Sequence, residues 1–270
     1  MDGSLKELKK IIQFAGMLID THTHLYLKEF GEDRAEMLQR AIDQGVERFY
    51  LPGIDSTVIE DMLAMEVNYP GRCFAMMGLH PCSVNENWTE ELRIVQAWLE
   101  KRQFAAVGEI GLDFYWDRIF EAQQYEAFDI QMDLAKTHGL PIVIHTRNAM
   151  QETINRVKAK QDGSLTGIFH CFSGSYESAK EILKLGFYLG IGGVVTYKNA
   201  GLSEVLKQVP LSSLVLETDA PYLTPVPFRG KRNESAYIRY VVEQLSTIYG
   251  VTPAVIAETT TANAQKIFGS

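Results

Sequence analysis

Short apolar runs recur along the chain, and between them apolar positions return every three or four residues. Uninterrupted apolar runs read as strands buried on both faces, and the wider spacing reads as helices packed against them. The first run ends in Leu18-Ile19-Asp20-Thr21-His22-Thr23-His24. Further strands are predicted at 48–51, 73–79, 104–108, 141–144, 166–169, 187–191 and 214–218. Helices are predicted at 33–44, 56–68, 119–138, 176–185, 235–249 and 253–268, and one more from a cap at Thr89 to about 102. Eight strands alternating with helices predict an α/β fold, a (β/α)8 TIM barrel, with a doubly wound open sheet as the structural alternative. Residues 17–270 form one expected domain, since no linker or low-complexity stretch divides them.

Residues 1–16 stand apart. Lys6, Lys9 and Lys10 precede a short apolar segment that Gln13 interrupts, which predicts a short helix or a leader upstream of a start at Met17 rather than a signal peptide. No apolar stretch is long enough to span a membrane. Cys73, Cys82 and Cys171 form no C-x-x-C pair, so they are expected to be reduced, small buried hydrophobes in a cytoplasmic protein. The formal net charge of −8 offers no overall attraction for a polyanion, so any nucleic-acid contact must come from a local basic patch.

The chemistry collects where the apolar runs stop. His22 and His24 end the first strand, and Glu109, His145, His170 and Asp219 end four others. His80 ends a further strand, so five of the six histidines lie at strand ends and only His138 lies inside a helix. In barrels of this kind the catalytic groups sit at the C-terminal ends of the strands. Six ligands exceed one tetrahedral zinc and suit two divalent ions sharing a carboxylate. His22, His24 and Asp219 are expected to hold one ion, His145 and His170 the other, with Glu109 between them. Zinc, magnesium and manganese all remain open. Cys171, next to His170, is expected to turn away by strand alternation.

These same residues resemble the TatD family of metal-dependent hydrolases. The resemblance is carried by Asp20-Thr21-His22-Thr23-His24, Gly78-Leu79-His80-Pro81, Gly108-Glu109-Ile110-Gly111-Leu112-Asp113, Ile144-His145-Thr146-Arg147, His170-Cys171-Phe172-Ser173-Gly174 and Glu217-Thr218-Asp219-Ala220-Pro221. It continues through Phe228-Arg229-Gly230-Lys231-Arg232-Asn233-Glu234 and covers about residues 17–269. It implies a TIM-barrel hydrolase with two divalent metals, usually a deoxyribonuclease, ligated by His22, His24, Glu109, His145, His170 and Asp219. Asn148, Phe228 and Ser235 depart from the pattern, where Asp, His and Pro are frequent, and none of them is a ligand.

The expected activity is phosphodiester hydrolysis of DNA, or of another phosphate-containing substrate, by a metal-activated hydroxide. An end-directed, 3'-5' exonuclease-like mode suits an acidic protein with a locally basic mouth. Asp219 and Glu109 are expected at the catalytic centre, Asp219 taking a proton from water. His80 is expected to contact the substrate or its leaving group, and Glu217 to orient a histidine or water. Arg147, Arg229, Lys231 and Arg232, with Arg118 further out, are the candidate phosphate contacts. Tyr115, with Phe114 and Trp116, is the candidate for base stacking. A carboxylic ester or amide hydrolase, for example on aminoacyl esters, is the alternative, and a non-catalytic scaffold is a third. No membrane and no obligate protein partner is expected.

Overall fold

Among the described residues eight parallel strands form the centre of the fold, and two hydrogen-bonded seams close them into a ring. The computed structural model describes residues 16–269, so the expectations for residues 1–15 lie outside the described residues. β1 (Leu18–Asp20), β2 (Val46–Leu51) and β3 (Cys73–Ala75) pair in order. β4 (Val107–Asp113), β5 (Ile142–Arg147), β6 (Gly167–Phe169), β7 (Tyr188–Ile191) and β8 (Leu214–Leu216) form the second row. Every pairing within the rows is parallel. Met77 bridges Val107 and joins the rows on one side, with Met77 N–H donating to Ala106 O at 3.1 Å. On the other side Thr21 N–H donates to Leu216 O at 3.0 Å and Asp219 N–H to His22 O at 2.9 Å. The fold is the expected α/β TIM barrel.

Among the described residues the α-helices are α1 (Arg34–Asp43), α2 (Ile59–Asn68), α3 (Trp88–Lys101), α4 (Glu121–His138), α5 (Met150–Lys160), α6 (Tyr176–Lys184), α7 (Leu202–Leu206), α8 (Ile238–Tyr249) and α9 (Pro253–Phe268). Alternation along the strands separates two cores. Phe49, Leu51, Ile142, Ile144, Leu214 and Leu216 belong to the larger core. Their sequence neighbours Tyr50, Val143 and Val215 join Ile19, Met76, Ala106 and Ile168 in a separate inner cluster. The end of α9 seals that cluster, where the Phe268 ring stacks on Tyr50 with centroids 3.7 Å apart. Two residues beyond Val143, Ile168 and Val215 stand His145, His170 and Glu217, so the same alternation that fills the lumen turns these polar groups inward.

β4 departs from simple alternation. Its register with β5 skips a residue between Gly108 and Ile110, leaving Glu109 as a bulge. A bulge re-aims a side chain, and here it is the central carboxylate. Backbones crowd together at this point, since a Cβ on Gly108 would meet the Val143 side chain at 2.8 Å. Gly111 is tighter still, with φ at +146° and the space for a Cβ taken by the His145 carbonyl. Gly111→Ala combines backbone strain with overpacking, so we expect a loss of about 3 kcal/mol. A fall in the urea midpoint at unchanged slope checks this, and a midpoint equal to wild type would contradict it.

Several predicted elements move. The fourth strand was expected to end before Glu109, but it runs on to Asp113 because β5 continues beside it, pairing Gly111 with His145 and Asp113 with Arg147. The third strand is shorter, leaving residues 76–79 as a connection to the site. The α3 helix is preceded by Asn87 rather than capped at Thr89. Neither α5 nor α7 was expected. The α5 sequence is largely polar, and only Thr153, Ile154 and Val157 of its residues are buried.

Candidate metal centre

Glu109 is the hub of the polar cluster at the C-terminal end of the barrel, and it is 2% exposed. Its Oε2 lies 3.0 Å from His22 Nε2 and 3.8 Å from His24 Nε2. Its Oε1 lies 2.8 Å from His145 Nδ1 and 3.4 Å from the Nε2 of both His80 and His170. Asp219 Oδ1 completes the first side, 3.4 Å from His24 Nε2 and 3.7 Å from His22 Nε2. One carboxylate therefore divides its oxygens between two groups of imidazoles. All six expected ligands meet here, and His24, Glu109, His145, His170 and Asp219 line a cleft of about 780 Å³ while His22 is buried among them.

A second ring of partners fixes how the histidines present themselves. Tyr26 Oη donates to Pro52 O and so uses its one proton there. At 2.9 Å it accepts from His24 Nδ1, which leaves His24 Nε2 as the bare nitrogen facing Asp219. Asp113 Oδ2 lies 2.8 Å from His145 Nε2, and Glu217 Oε1 lies 3.1 Å from His170 Nδ1. A carboxylate behind a histidine in this way orients the ring and raises its basicity. His80 is wired in the opposite sense: the Cys82 N–H donates to His80 Nδ1 at 3.0 Å. A neutral His80 therefore carries its proton on Nε2 and points a donor at the centre.

Burial opposes charge throughout the cluster, and the partners decide each outcome. Burial disfavours the carboxylate of Glu109, but His22, His80 and His170 outweigh it and hold the pKa well below the ordinary range. Asp219 is lowered in the same way, with burial outweighed by the neighbouring imidazoles of His24, His170 and His22. Burial also works against protonated His170, yet Glu217 and Glu109 push its pKa up to about 10. His22 and His80 go the other way, lowered chiefly by burial. His22 is fully buried, stacked on His170 with centroids 3.7 Å apart; its Nδ1 has no hydrogen-bond partner, and its Nε2, though 3.0 Å from Glu109 Oε2, makes no well-aligned hydrogen bond. Such orphaned nitrogens are costly in a protein interior. With two carboxylates and four other imidazoles around them, they fit a divalent cation in the site.

The outlying sequence candidates are sorted by position. Glu217 is buried behind His170 and accepts from Cys171 N–H at 2.6 Å. Arg147 and Trp116 line the cleft, and Tyr115 lies beneath Arg147 with its ring centroid 3.6 Å from the guanidinium carbon. Arg229, Lys231 and Arg232 are absent from the cleft lining. Arg232 is held by both oxygens of Asp33 and by Glu29 O, Arg229 lies over Tyr197, and Lys231 lies near Phe228. Arg118 is spent on Glu121.

Two expectations about cysteine are corrected. Cys171 lies at φ +48°, outside extended geometry, so alternation does not hold and it lines the cleft beside His170 and Glu217. Cys82 is exposed and also lines the cleft. Asp113 and Asp20 were missed as functional positions. Asp20 accepts from Thr218 Oγ1 and Ser235 Oγ, both at 2.6 Å, tying β1 to the chain after β8, and burial pushes its pKa up to about 7. The signal for Asp20 was a carboxylate inside an apolar run. Asp113 carried none, because only the added length of β4 brings it to His145.

Comparison with known proteins places these residues in a family context. The model described as TatD related DNase matches residues 19–269. The uncharacterized metal-dependent hydrolase YabD of Bacillus subtilis is 40% identical over 253 residues, covering 93% of this chain and 99% of that protein. The 3'-5' ssDNA/RNA exonuclease TatD of Erwinia tasmaniensis is 29% identical, again covering 93% and 99%. The crystal structure of YJJV, a TatD homologue from Escherichia coli K12, matches with a TM-score of 0.89 at 32% identity, covering 94% of this chain and 98% of that one.

Proposed function

This chain belongs to the TatD family of metal-dependent hydrolases, and on that footing we propose that it cleaves phosphodiester bonds at the ends of nucleic-acid strands, with DNA as the expected substrate. The observation that carries the reading is Glu109, whose two oxygens face two separate groups of imidazoles. We assign His22, His24 and Asp219 to one divalent ion and His145 and His170 to a second, with Glu109 between them. When bound, the ions supply positive charge to the phosphoryl group and a nucleophilic water near neutral pH.

The chain's own residues do the rest. Asp219 accepts a proton from the attacking water, since its ionised form is favoured in this cluster. His80 donates its Nε2–H to a phosphoryl oxygen as negative charge builds there. Tyr26, Asp113 and Glu217 hold His24, His145 and His170 in register from behind. Arg147 meets the phosphate at the mouth of the cleft. The relative named as a 3'-5' ssDNA/RNA exonuclease supports an end-directed mode.

The test compares labelled single-stranded DNA, duplex DNA and a panel of aminoacyl and simple carboxylic esters, each with protein stripped of metal and then supplied with zinc, magnesium or manganese. A ladder shortened from the 3' end, dependent on added metal, is expected with single strands. Turnover of esters with DNA left intact would favour the ester hydrolase instead.

A further inference from the structure

Resting on the phosphodiester reading above, we propose that Trp116 and Arg147 form a subsite for an unpaired nucleobase and its phosphate at the mouth of the cleft, so that this protein selects strand ends whose last bases are free. Trp116 is 69% exposed and lines the cleft, an unusual setting for the largest apolar side chain. It packs edge-on against Tyr115 with centroids 4.9 Å apart, and the Arg147 guanidinium carbon lies 3.6 Å from the Tyr115 centroid and 5.3 Å from that of Trp116. Arg147 makes no ion pair with a carboxylate among the described residues. The platform thus offers an exposed aromatic side chain beside a cation whose charge no carboxylate neutralises.

The opposite wall is also aromatic. Tyr222, 49% exposed, follows β8 and lines the same cleft. In an eight-stranded ring β4 and β8 stand four places apart, so the loops carrying Trp116 and Tyr222 flank the mouth from opposite sides. A ligand that suits this arrangement has a flat π face and an anion next to it, with a bond that reaches Glu109 below. A nucleotide meets all three conditions. An aminoacyl ester carries an ammonium group that Arg147 would repel. Bases inside a duplex keep their faces stacked on their neighbours, so only an unpaired base is free to use Trp116.

The experiment measures kcat/KM of the metal-loaded protein on single-stranded oligonucleotides in which one of the last three nucleotides, taken in turn, is abasic. Wild type is expected to prefer the fully base-bearing strand by about tenfold at one of these positions, the lower range for one base on an aromatic ring. In Trp116→Ala that preference falls to near one, and Trp116→Phe, which keeps a π face, restores most of it. A Trp116→Ala protein that keeps the full preference overturns the subsite. Quenching of tryptophan fluorescence by the same oligonucleotides separates the two readings. Quenching that needs the base and is lost in Trp116→Phe, without any cleavage, sinks the phosphodiester reading and leaves the subsite standing. Neither cleavage nor base-dependent quenching overturns both.

Discussion

Glu109→Gln is expected to lose bound metal and at least about 10³-fold in kcat/KM together. The amide keeps the shape of the side chain but replaces one oxygen by an NH2 group. Whichever way the amide turns, one imidazole group then faces a donor instead of an acceptor. Metal charge is worth several kcal/mol to a transition state of this kind, and 1.36 kcal/mol is a factor of ten. Elemental analysis after dialysis, run beside the cleavage assay, reads both effects. Wild-type metal content with wild-type turnover would remove Glu109 from the centre. The variant should still fold, because the bulge that holds residue 109 is made by backbone contacts of Gly108 and Ile110.

The second large effect is expected at His80, and it should separate rate from metal. By distance alone His80 belongs with Glu109 and His145 as a third set of metal-competent groups. The hydrogen bond from Cys82 N–H decides otherwise, because a nitrogen that accepts on one side of a neutral ring leaves an N–H on the other. His80→Gln is therefore expected to retain the wild-type metal content while kcat falls about 10²–10³-fold, the loss typical of one removed donor at a developing oxyanion. If metal and turnover fell in parallel, His80 would be a ligand and its assignment as a donor would be wrong.

On the proposed reading an acidic protein acts on a polyanion, and the placement of its cations bears on how. The basic loop of Arg229, Lys231 and Arg232 promised a phosphate grip, yet in the fold Arg232 braces Asp33 and the other two lie over aromatic rings away from the cleft. What the cleft lining keeps is Arg147, stacked on Tyr115 but without a carboxylate partner among the described residues, above the proposed metal centre. Such a surface favours a strand end over a coated duplex. Ser235 adds a smaller lesson. It departs from the family pattern, and its hydroxyl is one of the two that hold the buried carboxylate of Asp20.

Apolar runs ending in His, Glu and Asp were enough to establish the barrel and the six groups that converge in it. Both are one-dimensional signals: burial on two faces makes strands continuous and apolar, and a site at the strand ends interrupts them with polar residues at one edge. The same rule misplaced the end of β4, because a chain that stays paired through its polar residues looks, in sequence, like a chain that has stopped. Only the tertiary structure showed that Asp113 stands behind His145, that Cys171 faces the cleft, and that Arg232 does not. Those facts depend on a bulge, on one residue with positive φ and on a partner carboxylate far away in sequence. The tautomer of His80 belongs with them, since it is set by which backbone N–H happens to lie beside the ring.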